Sequence, residues 1–315
     1  MKRAFVFPGQ GSQIVGMGKE LAENSTHALS VFNEVNDALD QNLSSLMFEG
    51  PIEDLTLTFN AQPALMASSM AIVRVLEKEF GLRVGDVATY MAGHSLGEYS
   101  ALAATGTLGL SDTAKLLKIR GQAMQRAVPV GVGAMAAIMG AEFSVVEDIA
   151  GKAAGEEVCT AANDNADGQV VISGHKGAVE RAMEIAKEAG IKRAILLPVS
   201  APFHCMLMQP AADEMADALA ETTFNSPNVP IITNVSADEV TDPNVLRSHL
   251  VKQVTGRVRW RESVLRMGEL GITDLIELGT GKVLGGLVKR INKNISGKSI
   301  QTMADMEAFV DELNL

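Results

Sequence analysis

The sequence predicts an α/β protein: a large domain built on a parallel sheet, with a smaller unit inserted into it. Short apolar runs alternate with stretches of helical periodicity, which is how a parallel sheet covered on both faces reads. Gly93-His94-Ser95-Leu96-Gly97 falls between one such run and one such helix, the setting in which a strand turns sharply into a helix. From Gly131 the order changes to β-α-β-β-α-β. At 315 residues, 47% hydrophobic and 21% charged, the chain carries enough apolar material for one sizeable core and a second, smaller one.

Taken in order, Arg3 to Phe7 reads as a buried strand stopped by Pro8, then the loop Gly9-Gln10-Gly11-Ser12-Gln13 and a helix from about Met17. Helices follow over Ala28 to Leu39 and Pro63 to Phe80. Val87 to Ala92 is a short apolar strand, and Leu96, Tyr99, Leu102 and Ala103 after it recur at helical spacing. Leu110 to Val128 is a further helix, with Ser111 as its expected capping residue. Beyond Gly131 the expected strands are Ala134 to Met139, Val158 to Ala162, Gln169 to Ser173 and Ala194 to Val199, with helices over Val145 to Ala154 and Lys176 to Ala189. That is the split βαβ, ferredoxin-like order. Ile231 to Asn234 and Asp274 to Leu278 then return strands to the larger sheet. The expected division is therefore 1–129 plus 199–315 for the large domain and 130–198 for the insert.

Composition excludes several functions. No apolar run approaches the ~20 residues of a membrane span, and Ala4-Phe5-Val6-Phe7 is too short for a signal peptide. Cys159 and Cys205 are the two cysteines, too few for a disulfide framework or a cysteine-built zinc site, so a reducing, cytoplasmic address is expected. The net charge of −11 speaks against nucleic acid, whose phosphates need a basic surface. Charge is uneven, however: Arg247 to Lys298 holds eleven Lys or Arg against four Asp or Glu. A basic face there would suit an acidic partner.

The chemistry centres on Ser95. On a strand-to-helix turn its hydroxyl projects above the sheet edge, the glycines let strand and helix approach closely, and the Leu96 amide points at an oxygen held nearby. Such a turn at a strand end gives the large domain an α/β-hydrolase-like reading. A serine hydroxyl needs a base. His94 adjoins Ser95 and points elsewhere; His27, His175 and His249 follow no strand end of the right kind. His204 closes the loop Ser200-Ala201-Pro202-Phe203-His204 after a strand, where open α/β sheets place their sites. No Asp or Glu between Ser95 and His204 stands out as an orienting acid, so a neutral acceptor is expected in its place.

Arg120 is the second clue. On its helix, Leu116, Leu117, Ile119, Ala123, Met124 and Ala127 form the apolar stripe, and Arg120 sits within it. An unpartnered guanidinium there is costly, so it meets either an internal acid or a substrate carboxylate. Two glycine-rich segments fail as nucleotide motifs: Ile14 stands where a dinucleotide fingerprint needs its third glycine, and Ile276 where a phosphate loop ending at Gly279-Thr280-Gly281-Lys282 needs its first. The loop 9–13 is instead suited to supply a second oxyanion amide. Cys205 reads as a buried thiol rather than a nucleophile. Residue pattern alone leaves a serine esterase or thioesterase, or a non-catalytic carrier-binding protein, as alternatives.

Taken together, Phe7-Pro8-Gly9-Gln10-Gly11-Ser12-Gln13, Gly93 to Ser100, Arg120-Gly121 and Pro198 to His204 resemble the malonyl-CoA:acyl carrier protein transacylase family of dissociated fatty acid synthesis. Four motifs occur in the family's order over nearly the whole chain. The resemblance implies a cytoplasmic acyltransferase with no cofactor, taking malonyl-CoA as substrate and passing malonyl through a Ser95 ester to the phosphopantetheine thiol of an acyl carrier protein. It implies His204 as base and then acid, the amides of Gln10 and Leu96 as oxyanion donors, Arg120 as the grip on the malonyl carboxylate, and a main-chain carbonyl near Gln253 orienting the histidine. His94, Met124 and Phe203 are expected around the acyl pocket, no metal is implied, and the basic 247–298 region is the expected carrier-docking face.

Overall fold

In the structure, a computed structural model that describes residues 2–313, the strands in chain order are β1 Arg3–Phe7, β2 Ala88–Gly93, β3 Gly133–Met139, β4 Cys159–Ala166, β5 Gln169–His175, β6 Arg193–Leu196, β7 Ile231–Ile232, β8 Glu239–Val240, β9 Asp274–Leu278 and β10 Ser296–Ile300. Six of them form one sheet in the order β10-β9-β1-β2-β7-β8, parallel except for the β7–β8 pair. β1 lies in its middle, so Ala4, Phe5, Val6 and Phe7 are all buried and the run is apolar without alternation. Its Phe5 and Phe7 belong to the large core, while Ala4 and Val6 pack on the opposite face with Trp260, Val264 and Leu275.

The other four strands form an antiparallel sheet in the order β4-β5-β3-β6. Two helices, Phe143–Ala154 and Lys176–Glu188, bury Val146, Ile149, Val179 and Ala182 against it in a separate core. The observed order over 133–196 is thus β-α-β-β-α-β. β4 also fastens this sheet to the rest of the molecule. Val258 bonds to it through Ala162 O and the Asp164 amide, and Arg261 Nε reaches both Asp164 carboxylate oxygens at 3.0 Å.

Several boundaries differ from expectation for local reasons. Val87 ends a short helix, Val84–Val87, and β2 begins at Ala88. The helix expected from Pro63 runs over Thr58–Lys78 with Pro63 inside it; as its sixth residue, Pro63 lies barely beyond the turn whose amides lack intrahelical partners. The strand expected to reach Val199 stops at Leu196, since Pro198 has no amide for a ladder, and Leu197 to Val199 line a cavity instead. Ser111 does not cap its helix. Gly109 occupies that position, leaving Ser111 two residues too far in, where its hydroxyl donates to Glu34 Oε1. Helices over Lys19–Asn24, Thr26–Leu39, Leu43–Glu49, Ile52–Thr56, Gln209–Ala220, Pro243–Thr255, Trp260–Glu269, Val283–Ile291 and Met303–Glu312, a short 3-10 turn over Met206–Met208, and the strands β8 and β10, complete the large part.

Candidate active site

At the end of β2 the chain turns within three residues into the helix Gly97–Ala104. A β-carbon at Gly93 would lie 1.9 Å from the Gly97 carbonyl, and one at Gly97 would lie 2.2 Å from Phe7 O. Only hydrogen fits at either place, which is why glycine flanks the serine. Ser95 itself takes φ 53°, a left-handed conformation that costs a non-glycine residue of order 1–3 kcal/mol and needs its surroundings to hold it. Asn234, just beyond β7, supplies that hold. Its Oδ1 accepts from the Ser95 amide at 2.7 Å, and its Nδ2 donates to Gly93 O at 2.7 Å.

His204 Nε2 lies 2.8 Å from Ser95 Oγ, and its Nδ1 lies 2.9 Å from Gln253 O. A carbonyl can only accept, so Nδ1 carries the proton and Nε2 presents a lone pair to the serine hydroxyl. Burial, and then the nearby Arg120 charge, push the imidazolium down to about 3. The ring is therefore a neutral acceptor throughout the physiological range. No acid touches it among the described residues, as the sequence anticipates.

Arg120 is 1% exposed. Nη1 donates to Gln62 Oε1 at 2.8 Å, while Nη2 donates to Gln253 Oε1 at 2.9 Å and Ser95 Oγ at 3.1 Å. Its bonds among the described residues all go to neutral oxygens, and its buried Nε has no partner. The internal acid that would have neutralised it is absent from its hydrogen bonds. A full positive charge thus stands beside the serine with capacity to bind an anion.

A cavity of about 420 Å³ joins these groups. Ser95, His204, Arg120, His94, Met124, Phe203 and Gln10 all line it, and the antiparallel sheet contributes Met135, Asn163, Asn165 and Val171. His94 does point away from Ser95, its Nε2 lying 2.8 Å from Asn165 Oδ1, yet it forms part of the wall. Gln10 is steadied by its own amide group on Thr58 Oγ1 at 3.3 Å. Among the described residues neither the Gln10 nor the Leu96 amide has an acceptor, although the amides next to them, of Gly11 and Ser95, are both taken by side chains.

Sequence reasoning missed Asn234, Glu98, Gln62, Asn163 and Asn165. Glu98 offered a signal, being an acid in a helix whose residues are otherwise uncharged and which the structure buries from end to end. The other segments singled out earlier have no part in this cavity. Cys205 is buried with its thiol pushed up by desolvation. His175 Nδ1 accepts from the Val158 amide, and His249 Nδ1 lies 2.8 Å from Thr233 Oγ1. The basic 247–298 stretch is largely paired internally: Arg257 and Arg259 with Glu262, Arg261 with Asp164, Arg266 with Asp238 and Glu239, and Lys298 with Glu312.

Comparison with known proteins agrees with this geometry. The acyl transferase domain family matches residues 4–304. A Malonyl CoA-acyl carrier protein transacylase of Bacillus subtilis (strain 168) is 44% identical over 99% of this chain and 97% of its own. The chain belongs to the malonyl CoA-acyl carrier protein transacylase family. Among solved structures, the acyl-carrier-protein-S-malonyltransferase of Bartonella henselae superposes with a TM-score of 0.97 at 54% identity, covering all of both chains. A malonyl-transacylase in complex with its type II PKS acyl-carrier protein superposes with a TM-score of 0.95 at 40% identity, covering 99% of this chain and 100% of that one. Among the described residues of this transacylase family member, no helix is long and apolar enough to cross a membrane.

Proposed function

We propose that this protein transfers the malonyl group of malonyl-CoA to the phosphopantetheine thiol of an acyl carrier protein through a Ser95 ester. Ser95 Oγ attacks the thioester carbonyl as His204 Nε2 takes its proton. The Gln10 and Leu96 amides hold the resulting oxyanion, and His204 returns the proton to the departing CoA thiolate. The carrier thiol then gives its proton to His204 and attacks the serine ester; His204 returns that proton to the departing Ser95 Oγ, and the carrier leaves with the malonyl group. Gln253 O keeps the imidazole in the tautomer this needs. His94, Met124 and Phe203 wall the acyl group.

The observation that carries this reading over an esterase is Arg120, a buried guanidinium bonded to neutral oxygens and aimed at the nucleophile. An esterase for neutral acyl groups has no use for it; a malonyl carboxylate does, at about 1.5–3 kcal/mol for a charge-assisted pair. Brief incubation with malonyl-CoA followed by intact mass measurement tests it. Wild type should gain one malonyl adduct at Ser95, and Arg120→Ala should lose that adduct while still accepting acetyl from acetyl-CoA. Equal loss of both acyl groups, or no adduct on wild type, would overturn the reading.

The architecture suits these roles. We read the large part, 1–129 with 199–315, as an α/β-hydrolase-like domain supplying nucleophile, base and arginine, and 130–198 as a ferredoxin-like insert supplying the facing wall of the cleft. The 4-1-3-2 strand order of that insert, counted within it, and the strand-turn-helix at Ser95 support both names. For the acidic carrier we retain a docking face drawn from the 247–298 stretch, narrowed to its exposed Lys252, Lys282, Lys289 and Lys293. Arg290 is occupied with Gln169 and Asp167 O. A cytoplasmic address fits the reduced, buried cysteines.

A further inference from the structure

One buried acid stands outside this cycle. Glu98 lies in the first turn of the helix Gly97–Ala104 and is wholly buried. Its Oε2 accepts from the Asn234 amide and from Gln253 Nε2, each at 2.9 Å, while its Oε1 has no partner among the described residues. The same Gln253 side chain accepts from Arg120 Nη2 through Oε1. A single amide group therefore separates a buried carboxyl from a buried guanidinium, and that guanidinium has no acid in direct contact among the described residues. A desolvated cation calls for a counter-charge. Glu98, acting through one amide dipole, is placed to be it.

Resting on the acyltransfer reading above, we propose that Glu98 is a positioning residue for acyl-group selection: through Gln253 it fixes Arg120 toward the cavity, and its negative charge limits how strongly that guanidinium grips an acyl carboxylate. A carboxylate arriving at Arg120 puts a second negative charge close to the buried Glu98 and Arg120, where repulsion is poorly screened. Removing the charge of Glu98 then tightens the grip. A merely structural role has a different signature, since loosening the network around Ser95, Gln253 and Arg120 damages transfer of every acyl group.

Protonation acts as the substitution does. Burial raises the Glu98 carboxyl to about 7, opposed by its bonds to Asn234 and Gln253 and by Arg120. The groups around it do not titrate with it. Arg120, from the helix Leu110–Ala127, stays charged; Tyr99, on Glu98's own helix, is pushed up to about 12; Asn234 and Gln253 are uncharged. His204 is held near 3, and His249, on the helix that carries Gln253, is lowered and turned to Thr233.

The test is kcat/KM for malonyl-CoA and for acetyl-CoA at pH 6, 7 and 8, taken as a ratio, for wild type and Glu98→Gln. Ionisations of Ser95, His204 and the CoA moiety are common to both substrates and cancel. The malonyl-to-acetyl ratio of wild type should fall about 3- to 10-fold from pH 6 to pH 8, and Glu98→Gln should hold the higher ratio at all three. A wild-type ratio that does not change with pH overturns the proposal, as does a variant ratio below that of wild type at pH 8. The wild-type profile decides the matter if the variant does not fold. A wild type without malonyl preference at any pH would instead refute the acyltransfer reading, so the two failures are distinguishable.

Discussion

Two strand-to-helix turns in the same parallel sheet, one from β2 through Gly93–Gly97 and one from β9 through Gly279–Lys282, share their glycines and their hydroxyl residue but face different surroundings. After β2, the Ser95 hydroxyl meets His204 and Arg120, and the Leu96 amide is left without an acceptor among the described residues. After β9, the Thr280 hydroxyl is buried against Ser68 Oγ at 2.9 Å. The next helix there has its Gly285 amide bonded to Glu277 Oε2 at 2.9 Å, an acid from β9 itself. A Gly-rich turn is thus a site only where nothing of the protein's own fills the space before it. That is also the physical reason the failed phosphate-loop match at 279–282 carries no function: its helix start already holds a carboxylate.

The hydroxyls give the largest contrast. Ser95→Ala should lower malonyl transfer by about 10⁴-fold or more while changing thermal stability little, because φ 53° is as strained for alanine as for serine and the two groups that lose the hydroxyl, His204 Nε2 and Arg120 Nη2, line a cavity with room for water in its place. Thr280→Val should do the reverse, costing about 1–3 kcal/mol by stranding Ser68 Oγ and leaving transfer intact. Thermal melts and transfer assays on both variants check it; a Thr280→Val enzyme that is stable but inactive would break the contrast.

Helix glycines sharpen it next. At Gly97, in the first helix, the added β-carbon meets Phe7 O and Pro8 O of a central strand's end, and neither backbone can yield. Gly97→Ala should destabilise by more than about 4 kcal/mol, in the range reserved for backbone clash. Gly286, in the helix Val283–Ile291, has nothing among the described residues within 4 Å of that position. Gly286→Ala should stabilise by about 0.5–1 kcal/mol through helix propensity. Denaturant titration of both variants against wild type measures the pair. Similar effects at the two positions would mean that close approach is not what reserves Gly97.

These contrasts also mark what a sequence can disclose. β1, the turn at Ser95, the histidine at 204 and the misplaced charge at Arg120 are legible because each is set by its own neighbours in the chain: an apolar run, two glycines, a strand-end loop, a helical stripe. Asn234 is not, because its importance comes from β7 lying beside β2, a pairing made across more than 130 residues. Gln253 touches His204 through a main-chain carbonyl that any residue possesses, so only family resemblance pointed to it. Asn163 and Asn165 escaped for a related reason. β4 shifts register between Ala161 and Asn163 and again between Asp164 and Ala166, and such irregular polar strand ends do not read as strand at all. The contribution of the antiparallel sheet to the cavity was therefore invisible, although its elements were anticipated.

The smallest effect isolates the charge that fills the second turn. Glu277 Oε2 accepts from the Gly285 amide and Ser299 Oγ, but Oε1 is buried without a partner among the described residues, and burial raises the carboxyl above its ordinary range. The folded state therefore binds this proton more tightly than the unfolded chain does. Stability is greatest while both states are protonated and is lost as pH rises from the unfolded carboxyl range through the raised folded value. Glu277→Gln keeps an oxygen for Gly285 and Ser299 and removes the charge. Its melting temperature should match wild type near pH 4 and exceed it by pH 8, with transfer activity unaltered because nothing at this turn reaches the cavity. A gap that instead opened toward low pH would mean that Glu277 is stabilised as a carboxylate by its helix end, and that the two turns differ in access alone rather than in how each accommodates a buried charge.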